Sequence, residues 1–108
     1  MRRCRLIVAG AVASALLVTG AVPASAETIQ VTIDKLVFAP AAINAKVGDT
    51  IEWVNKDVVA HTATVKGDWD VMIPPEGSAS MVVQKPETVE YYCRFHPNMK
   101  GQLTAVAP

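Results

Sequence analysis

A thiol, an imidazole and a thioether recur at every third position of the segment YYCRFHPNMKG, residues 91–101, as Cys93, His96 and Met99. All three side chains can ligate a metal, and a tight connection carrying them brings their donor atoms together. A thioether suits zinc poorly, whereas thiolate, imidazole and thioether in combination suit copper, which takes soft donors as Cu(I) and nitrogen in both oxidation states. One further donor is needed, and the sequence holds one other histidine, His61. A centre of His61, Cys93 and His96 with Met99 at long axial distance matches the trigonal His2Cys arrangement of copper electron-transfer sites. Taken singly, each residue has a plainer role as a buried thiol, a satisfied histidine or core filler. Taken jointly, they fall where one site needs them. Met72 and Met81 lack that spacing and are assigned to packing or surface.

Such donors must be positioned by short, stiff elements, and the sequence supplies strand periodicity with no sustained helical period. Residues 28–33 alternate Ile29, Val31 and Ile33 with Thr28, Gln30 and Thr32. A second apolar stretch, 43–47, stops at Gly48-Asp49, and 50–55 sets Ile51 and Trp53 inward against Thr50, Glu52 and Asn55. Further strands are expected at 61–66, 78–83, 88–93 and 102–106. The breaks at Pro40, Gly48, Gly67-Asp68, residues 74–77, Lys85-Pro86, Pro97 and Gly101 carry turn chemistry. Seven or eight short strands in about 80 residues predict an all-β fold, a two-sheet antiparallel Greek-key β-sandwich. Trp53, Phe38 and Tyr91 or Tyr92 are its core candidates. His61 would open a strand after the loop 56–60, at the same end as the loop from Cys93 to Met99.

Composition bounds what else the chain could do. It has 108 residues, 51% of them hydrophobic, with ten basic and ten acidic side chains. A nucleic-acid binder carries a basic excess, and a disordered chain is poor in apolar residues; neither description fits. Two cysteines are too few for a disulfide framework, an iron–sulfur cluster or an all-thiolate zinc site. Residues 1–26 read as a signal peptide: Arg2, Arg3 and Arg5 precede an apolar run that ends in the cleavage pattern Ala24-Ser25-Ala26. Its removal leaves a single domain, residues 27–108, with seven basic and ten acidic residues and one cysteine, in the periplasm or outside the cell. A small exported domain without a disulfide gains from a bound metal.

The combination resembles the cupredoxins, the blue-copper family, and within it the amicyanin-like members. The likeness rests on 38–40 through 47–50, on Trp53-Val54-Asn55 followed by His61, and above all on CxxHxxM at 93–99, with Pro97 directly after the histidine. It implies a type 1 copper ion held by His61, Cys93, His96 and Met99, and a soluble, monomeric one-electron carrier that meets redox proteins through the surface around His96, where Phe95, Pro97 and Ala60 could form an apolar patch. It also implies an amine dehydrogenase and a c-type cytochrome as partners. One departure is Thr62, where the family often has an asparagine tying the two ligand loops together; a hydroxyl makes fewer bonds than an amide. Enzymatic copper chemistry would need further histidines for a second centre. The alternative reading is storage or delivery of copper, and a metal-free interaction module is a third.

Overall fold

The computed structural model describes residues 25–108. The signal peptide expected at 1–26 lies, apart from Ser25 and Ala26, outside the described residues, as does Cys4. Among the described residues nine strands follow one another: β1 (Thr28–Asp34), β2 (Val37–Ala39), β3 (Ala42–Lys46), β4 (Thr50–Asn55), β5 (His61–Val65), β6 (Trp69–Ile73), β7 (Ser78–Val82), β8 (Glu87–Tyr92) and β9 (Lys100–Val106). They form two sheets, ordered β2-β1-β4-β7 and β3-β9-β8-β5-β6. The expected sandwich is present, with more strands than the seven or eight anticipated.

Both sheets are mixed. β1 pairs with β4 in parallel, as β3 does with β9, and the remaining pairings are antiparallel. The reason lies in the connections: after β2 the chain crosses to the second sheet as β3 and returns as β4, so it comes back beside β1 running the same way. Two strands had no legible signal. β2 is three residues long and ends at Pro40. β6 alternates half-buried Trp69 and Val71 with exposed Asp70 and Met72, but an apolar Met72 on the outer face blurs that period in the sequence.

The core is aromatic where the sheets face each other. Trp53 and Tyr91 are fully buried and Phe38 is 1% exposed. Their rings meet edge to face, with centroids 4.8 Å apart for Phe38–Tyr91 and 5.7 Å for Trp53–Tyr91, the geometry that ring quadrupoles favour. The Trp53 Nε1–H points to the Tyr91 hydroxyl at 3.4 Å. Tyr92, the other candidate, is only half-buried. Gly101 makes this packing possible, because a Cβ there would stand 2.4 Å from Tyr91 Cζ and 2.5 Å from its hydroxyl. Gly101→Ala is therefore expected to cost about 1–3 kcal/mol through overpacking, read as a lower denaturation midpoint. An unchanged midpoint would mean that the Tyr91 ring moves aside freely.

Several connections gather at one end. The loop 56–60 lies between β4 and β5, and 93–99 between β8 and β9. The turn after β1 joins them: the N–H groups of Lys35 and Leu36, both at positive φ (54° and 65°), donate to the Asp57 carboxylate at 2.7 and 3.0 Å. The β6–β7 connection is tied in by the Glu76 N–H to the Asp57 carbonyl and by the Asn55 N–H to the Gly77 carbonyl.

Candidate metal centre

His61 is the first residue of β5, in register with Ile73 on β6, and it is fully buried. Cys93 follows directly on β8 and is also fully buried, with its N–H bonded to the Met99 carbonyl at 3.0 Å. The loop closes on itself through two further backbone bonds, from the His96 N–H to the Cys93 carbonyl at 3.2 Å and from the Met99 N–H to the His96 carbonyl at 2.8 Å. These tight turns return His96 toward Cys93. The Nδ1 atoms of His61 and His96 stand 3.7 and 3.8 Å from Cys93 Sγ, and the three ligand-capable atoms lie within 4.8 Å of one another. Met99, at the end of the same loop, is 4% exposed and belongs to the buried core cluster.

These distances fit one shared ion. A thiolate sulfur about 2.3 Å and an imidazole nitrogen about 2.0–2.1 Å from a common centre, the bond lengths known for these donors on zinc, stand about 3.7–3.8 Å apart when spread trigonally, which the two sulfur–nitrogen distances match. Thiolate, two imidazoles and a nearby thioether form a set that copper accepts and that suits zinc less well.

The surroundings fix how each donor points. His61 Nε2 lies 2.8 Å from Asp57 Oδ2. Burial pushes the Asp57 carboxyl up, but the Leu36 N–H, the His61 ring and the Lys35 N–H outweigh it and hold the group below the ordinary carboxylate range. An ionised carboxylate only accepts, so Nε2 carries the proton and the Nδ1 lone pair faces Cys93. The Cys93 sulfur in turn accepts the Thr62 N–H at 3.3 Å.

Thr62 answers the departure noted in the sequence. Its Oγ1 accepts the Arg94 N–H at 2.8 Å, so it ties the strand carrying His61 to the loop carrying Cys93. Thr64 Oγ1 lies 2.9 Å from Thr62 Oγ1 and 2.6 Å from Asp70 Oδ1. The single Thr64 proton goes to the carboxylate, so Thr62 donates to Thr64. Arg94 Nε also donates to Asp70 Oδ1, at 3.1 Å, and the bonds close into a ring. The Thr64 hydroxyl first, and Arg94 second, hold the Asp70 carboxyl below its usual range. Thr62→Val keeps the shape and removes the hydroxyl, leaving the Arg94 N–H without its acceptor. The expected cost is about 1–3 kcal/mol of stability, measured by denaturant unfolding; a loss below that range would mean that the ring contributes little.

The structure brings together His61, Cys93 and His96 of the four expected donors, with Met99 buried on the same loop, and it adds supports that sequence reading missed. Asn55, expected on the outer face, shares the inner face with Ile51 and Trp53 and is 2% exposed. Its Nδ2 donates to the carbonyls of Val59 and Pro74, and its Oδ1 accepts the Asp57 N–H, which shapes the loop leading to His61. Strict counting of alternate residues from Trp53 would have found it. Asp57, Thr64 and Asp70 left no such signal, because their roles depend on contacts between separate loops and strands.

His96 is the half-exposed member of the set. It borders a depression of about 410 Å³ lined by Leu36, Phe95, His96, Pro97, Asn98 and Met99. Phe95 is 48% exposed and Leu36 46%; of the expected patch of Phe95, Pro97 and Ala60, the first two line the depression and Ala60 does not, while Leu36 joins them.

Residues 6–105 match the family model of the cupredoxin-like domain. The chain is 29% identical to amicyanin of Paracoccus denitrificans over 85 residues, covering 69% of this chain and 63% of that protein, so it spans less than two thirds of that relative's length. It is 31% identical to plastocyanin of Prochlorothrix hollandica, covering 86% of this chain and 83% of that one. The crystal structure of amicyanin from Paracoccus versutus superposes with a TM-score of 0.63 at 27% identity, covering 78% of this chain and 84% of the other.

Proposed function

The chain belongs to the cupredoxin-like family, and from that membership we propose that it is a blue-copper one-electron carrier, whose single type 1 copper ion would be held by His61, Cys93, His96 and Met99. The observation that carries this reading is the convergence of two imidazole nitrogens on one buried sulfur, 3.7 and 3.8 Å away, from loops 32 and 3 residues distant in sequence. Copper bound there supplies one-electron chemistry, alternating between Cu(II) and Cu(I).

The chain's own contribution is to hold the donors still. Asp57 fixes the His61 ring, the Thr62 N–H holds the Cys93 sulfur, and the ring of bonds through Thr62, Thr64, Asp70 and Arg94 locks the two ligand segments together. Geometry held in this way reduces the rearrangement that accompanies a change of charge. Four protein donors leave no open position for a substrate, unlike catalytic metal sites; the assignment is to a carrier and not to an enzyme.

Electrons would enter and leave by His96, the donor nearest the surface. The apolar rim of Leu36, Phe95 and Pro97 suits the small, quickly separating interfaces of redox partners, below about 1,200 Å² in total. We assign the partners to exported redox proteins. An amine dehydrogenase as donor and a c-type cytochrome as acceptor, implied by the sequence resemblance, are the first to try. Export through the leader at 1–26 places the mature domain in the periplasm or outside the cell.

Copper delivery is the competing function, and one experiment separates the two. A carrier cycles reversibly at an electrode and keeps its metal against a Cu(I) chelator, whereas a delivery protein surrenders it. Met99→Gln tests the axial donor. The variant is expected to keep copper and to lower the midpoint potential, because a harder donor favours Cu(II); an unchanged potential would show that Met99 does not coordinate.

A further inference from the structure

Among the described residues Asp49 is the one carboxylate buried to 2% exposure, and it lies at the end of the sandwich away from His61, Cys93 and His96. It precedes β4, after the turn at Gly48. Oδ2 accepts the Lys46 N–H at 2.8 Å and faces Lys46 Nζ at 3.7 Å. Oδ1 accepts the N–H of Glu27 at 2.9 Å. Glu27 is gripped on its other side as well, since its carbonyl accepts the Thr50 N–H at 2.8 Å. Ser25 and Ala26, one step earlier, are exposed and outside any strand.

The nitrogen that Asp49 holds is the one that processing would release. The cleavage pattern Ala24-Ser25-Ala26 places the scissile bond between Ala26 and Glu27. A signal peptidase hydrolyses that bond with one water: the C–N bond breaks, hydroxyl goes to the Ala26 carbonyl carbon and a proton to the Glu27 nitrogen. The freed amine takes a second proton at neutral pH.

We propose that Asp49 is a built-in receptor for the α-ammonium group that leader removal creates on Glu27, so that maturation replaces an amide-to-carboxylate bond by an ion pair of ammonium and carboxylate. The inference rests on the export reading given under Proposed function. The amide contact is charged on the acceptor side alone, and the ammonium adds a charged donor of opposite sign. The carboxyl is already prepared for a cation: the Glu27 N–H first, then the Lys46 N–H, hold it below the ordinary carboxylate range against the effect of burial, with the Lys46 charge adding to them. The charged groups facing Asp49 are Lys46 and Glu27 itself. On the β7 side Val83 contributes only its backbone, its N–H donating to the Asp49 carbonyl.

The sign of the pH dependence follows. The ammonium pKa rises on folding, so its contribution is complete below the unfolded value, about 7.7–8.0, and is lost as pH climbs through the higher folded value. The Asp49 pKa falls on folding, so its contribution is complete above 3.8 and is lost as pH drops through the lower folded value.

The experiment starts from the full-length precursor, exported and processed by the cell, with the new N-terminus read by mass spectrometry. The nine strands of the described residues lie between Thr28 and Val106, so the processed chain keeps all of them. A second precursor carries Gly-Ser inserted after Ala26, which moves the ammonium two residues away. The native start is expected to melt on the order of 5 °C higher near pH 6, with the gap closing above pH 9 and absent when both chains carry Asp49→Asn. Because Asp49→Asn could prevent folding, the Glu27 α-amine is also titrated by NMR in the native processed chain, where a pKa raised by about one unit or more is expected. A pKa of 8 or lower, or a gap in melting temperature undiminished at pH 10.5, overturns the receptor while leaving export intact. An N-terminus found elsewhere overturns both the cleavage site and the receptor.

Discussion

Cys93→Ser is expected to remove the function while leaving the sandwich folded. The side chain is fully buried and changes by one atom, its N–H still bonds the Met99 carbonyl, and a hydroxyl can accept the Thr62 N–H in place of the sulfur. What disappears is the soft anionic donor. Mutations outside the ligand set typically cost 10–100-fold in metal affinity, and loss of the thiolate should exceed that range for Cu(I). Reversible electrode response should vanish with it. Chelator competition measures the affinity and thermal melting of the metal-free protein checks the fold. Copper retention within tenfold of the parent would move the centre away from Cys93.

Trp53→Ala carries the largest expected loss of stability. The ring is fully buried, contacts Tyr91 and Trp69 at centroid distances of 5.7 and 6.1 Å, and donates to the Tyr91 hydroxyl. Truncating a buried tryptophan costs about 3–5 kcal/mol, a large share of the roughly 5–15 kcal/mol that holds a domain together. Tyr91 stands two residues before Cys93, so the cavity would also loosen the base of the ligand loop. Trp53→Phe refills much of the space and should restore most of the midpoint. Denaturant melts of both variants decide the matter, and a loss under 1 kcal/mol for Trp53→Ala would show that the sheets close over the gap.

The candidate donors were legible because their types are rare in this chain and their spacing is short: one histidine opens β5, and the other histidine, one of the two cysteines and one methionine fall on the loop 93–99. The long strands were legible because one buried face leaves a period of two, as in β1 with Val31 and Ile33 inward. Sheet topology was not, since nothing local records that β4 returns beside β1 in parallel. Nor were the supports. Asp57 reaches Lys35, Leu36 and His61, and Thr62 reaches Arg94, across gaps that only the folded chain closes. The threonine shows the limit most clearly: its residue type pointed to a looser tie between ligand loops, whereas Thr64 and Asp70 extend it into a closed ring.

The most direct test of the copper assignment is the visible spectrum of the purified, processed chain titrated with Cu(II). If the Cys93 thiolate, His61 and His96 share one ion, an intense blue thiolate-to-copper band should grow linearly and stop at one copper per chain. A pale product, or a band that keeps growing beyond one equivalent, would contradict that assignment.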